Sequence, residues 1–192
     1  AIISIFPGSR DSEVKKLTPI LLDFIKLMNE KYEDFLYVFH STKAQRSNLE
    51  KIIKKSQINN TEIISDDKIK DHILKKSIFA VSKSGTISLE ISKRKIPSII
   101  IYKMNFINFL IVKMLVKIKY ANILNIAAGQ MIIPELLQSK CNPKEIYKLV
   151  SSFLEDQNKI KKQISNTEKV LESFRTKNLP TDLAADSLRK SL

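Results

Sequence analysis

Two short segments of the chain combine glycine with hydroxyl or charged side chains directly after apolar runs. Residues 7–10 (Pro-Gly-Ser-Arg) follow the run at 2–6, and residues 84–86 (Ser-Gly-Thr) follow the run at 78–82. Glycine lets a backbone approach a ligand closely, while hydroxyl groups and a guanidinium supply hydrogen-bond donors. This combination of residue types suits an anionic group, and the two segments together would serve a diphosphate.

A helix is predicted to begin soon after each segment, where free amides and the positive end of the helix dipole attract phosphate. From these residues alone, an ordinary turn at 7–9 and an N-cap at 84–86 are the simpler interpretations. The chain contains neither the Gly-x-Gly-x-x-Gly fingerprint nor a Gly-x-x-x-x-Gly-Lys loop, which argues against dehydrogenases and P-loop NTPases. A sugar nucleotide held by amides and one arginine, without a metal, fits what remains.

The elements that must position these segments alternate between strand and helix. Strands are predicted at residues 2–6, 35–40, 61–65, 78–82 and 97–102. Helices are predicted at 17–28, where Pro19 kinks or restarts the helix, at 44–55, after a cap at Asp66 or Asp67, and at 86–93. The alternation predicts an α/β fold, a Rossmann-like parallel sheet flanked by helices. Residues 125–130 look like a loop, and charged amphipathic helices are predicted between 143 and 192.

The composition points to an anionic partner. The chain has 192 residues and a net charge of +13, which is compatible with nucleic acid, an acidic membrane or phosphorylated substrates. Only five of its 33 basic residues are arginine, which argues against nucleic acid, although an AT-rich genome would also enrich lysine. Cys141 is the only cysteine, so an intramolecular disulfide is excluded and a reducing cytoplasm fits.

Two other features have structural as well as functional interpretations. His40 and His72 have no cysteine or carboxylate at metal-binding spacing, so no metal site is predicted and structural roles are expected for both. The apolar stretch at 106–118 is interrupted by Asn108, Lys113 and Lys117 and is too short to span a bilayer. It is suited either to an interfacial patch on anionic lipid or to packing between domains, and the residues leave both open.

Several motifs, in their order and spacing, resemble the C-terminal half of lipid-A-disaccharide synthases over roughly residues 2–155. They are Phe-Pro-Gly-Ser-Arg at 6–10 with Glu13, Ser-Gly-Thr at 84–86 with Leu-Glu at 89–90, Tyr-Lys at 102–103, and the stretch 120–138. The resemblance implies a GT-B hexosyltransferase of lipid A biosynthesis. Such an enzyme transfers 2,3-diacylglucosamine from its UDP donor to 2,3-diacylglucosamine 1-phosphate, giving lipid A disaccharide 1-phosphate and UDP, and needs no cofactor or metal.

The resemblance also implies roles for individual residues. Arg10 is expected to face the donor diphosphate, residues 84–86 to supply loop contacts, and Glu90 to accept hydrogen bonds from the ribose hydroxyls. A surface charge on a helix is the alternative for Glu90. Asn125, Glu135 and Gln138 are expected to contact the sugar or the nucleotide, with loop capping as the alternative. The complete expected UDP-sugar-binding set is Gly8, Ser9, Arg10, Glu13, Ser84, Gly85, Thr86, Glu90, Tyr102, Asn125, Glu135 and Gln138.

The expected organisation is a nucleotide-sugar-binding domain at residues 1–155 and a helical tail at 156–192. The acceptor site and catalytic base are expected in an N-terminal half outside this chain, so no catalytic residue is assigned and the activity of the chain alone is open. Expected partners are the two acylated substrates, the N-terminal half, the anionic inner-membrane surface and a second copy in a homodimer, with no nucleic acid. The expected location is cytoplasmic and peripheral on the inner membrane. Two alternatives stay open: another GT-B enzyme acting on UDP-GlcNAc, and a non-catalytic basic module that binds membrane or nucleic acid.

Overall fold

The computed structural model describes residues 1–103 and 119–176. Its strands form one six-stranded sheet in the order β3-β2-β1-β4-β5-β6, and every neighbouring pair is parallel. The predicted α/β Rossmann-like fold is therefore confirmed. The strand order reverses between β1 and β4, which is where ligands bind in open α/β sheets. The strands are β1 (Ile2–Phe6), β2 (Leu36–His40), β3 (Thr61–Ile64), β4 (Ser77–Lys83), β5 (Ser98–Tyr102) and β6 (Glu135–Leu137).

Helices cover both faces of this sheet. Pro19 lies inside α1, which runs on as one helix, and the Asp66 side chain caps α3 by accepting hydrogen bonds from the amides of Lys68 and Ile69. The stretch 106–118, which is suited to a membrane patch or to interdomain packing, lies outside the described residues. The described helices are α1 (Asp11–Asn29), α2 (Arg46–Lys54), α3 (Asp67–Lys76), α4 (Ile87–Lys93), α5 (Ile123–Ala128), α6 (Pro143–Leu154) and α7 (Gln157–Thr176), with a 3-10 turn at Gln138–Lys140.

The two faces of the sheet differ in chemistry because side chains alternate along each strand. One face presents large apolar residues such as Ile5, Phe39 and Phe79, which form the main core with α1, α2 and α6. The other face carries buried polar side chains, including Ser4 and His40, beside a smaller apolar cluster. In that cluster Phe6 and Ala80 of the sheet pack against Leu74 of α3 and Ile91 of α4.

Two parts of the fold differ from the sequence prediction. Residues 125–130 look like a loop in sequence, but Asn125 lies within α5, which ends at Gly129 with a left-handed φ of +64°. Strand β6 was not predicted. Both elements are short, with six and three residues, so neither has enough sequence to show a periodic pattern.

Helix α7 packs directly on the sheet domain. The Gln163 side chain accepts a hydrogen bond from the Ser98 amide at 2.7 Å and donates one to the Ser98 carbonyl at 2.8 Å. It thereby satisfies the hydrogen-bonding groups of the backbone at the start of β5.

The division of the chain at residue 156 stays a prediction. Across the described residues, no helix combines the length and hydrophobicity needed to cross a membrane.

Candidate functional site

A cleft of about 300 Å³ opens at the carboxyl edge of the sheet, beside the junction of β1 and β4. It is lined by the residues that follow β1, β2 and β4 together with the first turn of α3. Half of the predicted site residues line it: Gly8, Ser9, Glu13, Ser84, Gly85 and Thr86. The other lining residues are Phe6, His40, Ser41, Thr42, Asp67, Lys70, Lys83 and Ile87. The structure therefore brings the two glycine-containing segments to one cleft.

The loop between β1 and α1 closes around the carboxylate of Glu13. Oε2 of Glu13 accepts hydrogen bonds from the amides of Ser9 at 3.1 Å and Arg10 at 3.3 Å. Gly8 has a φ of +115°, and a β-carbon at this position would lie only 2.7 Å from the Glu13 Cβ. Both the backbone conformation and the tight packing therefore require glycine at position 8.

Glu13 also lies between two cations. Its Oε1 is 3.0 Å from Nζ of Lys83 and 3.7 Å from Nη1 of Arg10. Burial by itself raises the pKa of the Glu13 carboxyl, but the hydrogen bond and charge of Lys83 and the two loop amides outweigh it, so the pKa is lowered. Glu13 is therefore ionised at neutral pH and holds the loop to the end of β4.

Arg10 lies at the open side of this cluster. Its side chain is 80% exposed, and it is not among the residues that line the cleft. Its contact with Glu13, which does line the cleft, keeps the guanidinium beside the cleft mouth. The contact of Arg10 with a diphosphate stays a prediction.

The second loop is anchored to the segment that follows residue 119. The Ser84 hydroxyl donates a hydrogen bond to the Ala121 carbonyl at 2.8 Å. Beside it, Gly85 leaves open space where a β-carbon would lie. The backbone of this loop is thus held on one side and accessible on the other.

Asn125 and Glu135 form a buried network instead of lining the cleft. The Asn125 amide group makes four hydrogen bonds, two donated to the Ile133 carbonyl and Glu135 and two accepted from the amides of Ile132 and Ile133. Glu135 also accepts hydrogen bonds from the amides of Ala121 and Asn122. The loop-capping interpretation thus describes their contacts in this structure, and any direct contact with a ligand stays a prediction.

The remaining predicted residues do not line the cleft. Glu90 has carboxylate oxygens 3.4 Å from Lys70 and 3.4 Å from Arg94, in a groove that adjoins the cleft at Lys70. The partly buried ring of Tyr102 lies 5.4 Å from the Lys83 ammonium. Gln138 begins the 3-10 turn after β6 with a φ of +52°.

Sequence reasoning missed two lysines that line the cleft. Lys83 directly precedes the Ser-Gly-Thr segment, and Lys70 lies in the first half of α3. In a chain with this many lysines, the residue type alone does not show which lysine lies at a site. The available signal was the position of Lys83, at the end of a strand and one residue before a predicted loop contact.

His40 belongs to a hydrogen-bond chain with a fixed direction. Ser77 donates its hydroxyl to the Ile73 carbonyl at 2.9 Å, so it accepts from Ser4 at 2.7 Å. Ser4 must in turn accept from Nε2 of His40 at 2.8 Å. This order assigns the proton to Nε2 and makes Nδ1 a buried acceptor, for which the described residues provide no partner. The ring also stacks on Phe6 at 4.1 Å.

We expect His40 to make the protein less stable as the pH falls. Burial, with a smaller effect from Lys70, lowers the pKa of His40 from 6.5 to about 3. The unfolded chain therefore takes up the proton first, and stability is lost as the pH falls from 6.5 towards 3, at roughly 1.4 kcal/mol per pH unit. Urea unfolding across this range should give a shallower pH dependence for His40→Gln than for the parent.

His72 provides the matched control, because it is the only other histidine of the chain and is exposed. His72→Gln should keep the pH dependence of the parent. Equal slopes for the parent and both variants would show that His40 is not a buried neutral group.

Among the described residues, no group of three or more His, Cys, Asp or Glu side chains is placed to hold a metal ion.

Comparison with known proteins places the chain in a family. The family model for lipid-A-disaccharide synthetase matches residues 1–186. The chain belongs to the lipid-A-disaccharide synthase family. The synthase of Persephonella marina is 37% identical over 171 residues, which cover 88% of this chain and 45% of that protein. The synthase of Rickettsia prowazekii is 31% identical, covering 98% of this chain and 50% of that protein. This family member thus spans about half the length of the curated synthases that it matches.

Solved structures share its fold at low sequence identity. The C-terminal domain of a group 1 glycosyl transferase (LpcC) from Francisella tularensis matches with a TM-score of 0.58 and 15% identity, covering 92% of this chain and 87% of that one. The UDP-GlcNAc 2-epimerase of Neisseria meningitidis, bound to UDP-GlcNAc, matches with a TM-score of 0.57 and 17% identity, covering 92% of this chain and 45% of that one. The lipid-A-disaccharide synthase family member therefore has the Rossmann-like fold of a GT-B half.

Proposed function

We propose that this chain is the nucleotide-sugar-binding half of a lipid-A-disaccharide synthase and holds the UDP of the donor in the cleft beside β1 and β4. One observation carries the proposal. The loops at residues 7–10 and 84–86, which resemble the family's motifs, meet in a single cleft at the point where the strand order reverses. The positive cluster of Arg10 and Lys83 around Glu13 lies at the same place.

The reaction proposed for the complete enzyme transfers 2,3-diacylglucosamine from UDP to 2,3-diacylglucosamine 1-phosphate. The bond between the anomeric carbon and the diphosphate oxygen breaks, a bond forms from that carbon to a hydroxyl oxygen of the acceptor, and the catalytic base takes the hydroxyl proton. Negative charge develops on the departing UDP. Cations and amides fixed in place before the reaction stabilise that charge without reorganising. In this proposal the chain binds the donor and its leaving group. The acceptor site and the catalytic base belong to the N-terminal half of the enzyme.

The remaining partners belong to the same proposal. The substrates are acylated, so the enzyme would work at the cytoplasmic surface of the inner membrane. The net charge of +13 supports attraction to anionic lipid. Association with the N-terminal half and formation of a homodimer are further proposals that follow from the family.

Calorimetric titration of UDP tests the proposed site directly. At moderate salt without divalent metal, we expect the purified chain to bind UDP, and we expect Arg10→Ala to bind it roughly tenfold or more weakly because a charge-assisted contact is lost. Arg46→Ala is the control, since it removes an equally charged, exposed side chain whose partners, Glu50 and Ser65, do not line the cleft. The partner of Arg10, Glu13, does line it. A folded parent chain that binds no UDP would contradict the proposal.

The same titration separates the alternative functions. A non-catalytic basic module, which the net charge of +13 and the lysine-rich helices favour, predicts that Arg10→Ala and Arg46→Ala behave alike. It also predicts that any affinity for nucleic acid falls steeply with salt. Another GT-B enzyme acting on UDP-GlcNAc predicts that UDP-GlcNAc competes with UDP at least as well as the diacylated donor does.

A further inference from the structure

Lys83 occupies the centre of the carboxyl edge of the sheet. It is the last residue of β4, the strand that lies beside β1 where the strand order reverses. Its side chain is only 20% exposed and lines the cleft next to the Ser-Gly-Thr loop. The resemblance to the family assigned no role to this residue.

Two neighbours hold the Lys83 ammonium group in place. Nζ lies 3.0 Å from Oε1 of Glu13 and 5.4 Å from the centre of the Tyr102 ring. A lysine normally loses side-chain entropy when it binds a ligand, and these contacts have already restricted the side chain. An ammonium group has three donors, and Glu13 is the only carboxylate within ion-pair distance of Lys83 among the described residues.

The charges around Lys83 favour an anion, whereas those around the other lining lysine do not. Glu13 is a single carboxylate between two cations, Arg10 and Lys83, so this cluster keeps one positive charge. Lys70 instead faces two carboxylates, Asp67 at 3.3 Å and Glu90 at 3.4 Å. Of the two lysines that line the cleft, Lys83 therefore has more of its charge left for a ligand.

We infer that Lys83 is a further diphosphate-binding residue, which donates to the phosphoryl oxygens of a nucleoside diphosphate while Glu13 and Tyr102 keep it in position. This inference rests on the proposed function, because it places the same ligand in the same cleft. The competing interpretation is a structural tie, in which Lys83 only links α1 to β4 through Glu13. The two interpretations differ in how the effect of a substitution depends on the phosphates of the ligand.

The test is a titration of uridine, UMP and UDP into the full chain and into Lys83→Met. We expect UDP affinity to fall about tenfold or more, UMP affinity to fall less and uridine affinity to change little, because each phosphate adds negative charge near Lys83. Inorganic pyrophosphate should displace UDP from the parent chain. Equal losses for all three ligands, or no loss for UDP, would overturn the inference.

Two further variants separate charge from the structural tie. Lys83→Arg keeps the cation and should bind UDP within about threefold of the parent. Lys83→Gln keeps an N–H donor for Glu13 without the charge, so it should bind as weakly as Lys83→Met, and recovery of binding in this variant would support the structural tie instead. Lys26→Met is the matched control, because Lys26 also has a carboxylate partner at 3.0 Å but does not line the cleft.

The failures of the two proposals are distinguishable. A folded parent that binds no UDP contradicts the proposed function and this inference together. If the parent chain and Lys83→Met bind UDP equally tightly, the proposed function stands, but Lys83 is not part of the binding site. Thermal unfolding of each variant identifies any loss of binding that comes from loss of the fold.

Discussion

Gly8→Ala is expected to destabilise the chain by roughly 2–4 kcal/mol and to weaken UDP binding by more than tenfold. Alanine is strained at a φ of +115°, and its β-carbon would collide with the Glu13 carboxylate. Relief of the collision requires Glu13 to leave the amides of Ser9 and Arg10, which opens the loop and frees Lys83. Urea unfolding measures the first effect and calorimetry with UDP the second.

Gly85→Ala is the matched control for this prediction. Its φ is not in the left-handed region, and nothing lies within 4 Å of the position that a β-carbon would take. We expect its stability to stay within about 0.5 kcal/mol of the parent, as for substitutions at open sites. Loss of UDP binding in a stable Gly85→Ala chain would indicate close approach of the ligand to this loop. If Gly8→Ala were as stable as Gly85→Ala, the loop could not have the conformation described here.

The sequence predicted those parts of the fold whose pattern is long enough to read. The first five strands lie within about two residues of their predicted ends, because each is an apolar run bounded by polar or turn-forming residues. Strand β6 escaped prediction because only three residues form it, and one of them is Glu135. Its pairing with β5 is a tertiary property that no local pattern reveals.

For the candidate site, the sequence predicted the loops better than the environment of individual side chains. Glycine and hydroxyl residues after two strands pointed to the two loops that line one cleft in the structure, since parallel strands end at the same edge. That these loops bind a ligand stays a prediction. The sequence did not reveal that Glu13 binds the amides of its own loop or that Lys83 lies against it. The Lys83 contact joins distant parts of the chain, so no local pattern reveals it. The contacts of Glu13 with the Ser9 and Arg10 amides span only four and three residues, and the spacing of a helix-capping glutamate was the available signal for them.

Asn125→Leu is expected to be the most destabilising of the substitutions considered, at roughly 3–5 kcal/mol. Leucine has a similar size, but it removes all four hydrogen bonds of the Asn125 amide group. The amides of Ile132 and Ile133 would then be buried without acceptors, and Glu135 would lose one of its donors. Urea unfolding compares this variant with Asn59→Leu, which replaces an exposed asparagine and should change stability little.

This substitution also separates two roles for Asn125. If its role is structural, the substitution lowers the stability of the chain. UDP binding by the chain that stays folded then weakens only because the segment at 119–135 no longer holds the Ser84 loop through the Ala121 carbonyl. If Asn125 contacts the sugar nucleotide directly, as the family resemblance implies, UDP-sugar binding is lost while stability is preserved. The full occupation of its amide group within the protein favours the first outcome. Retained stability with lost binding would require the network of Asn125 and Glu135 to rearrange when the donor binds.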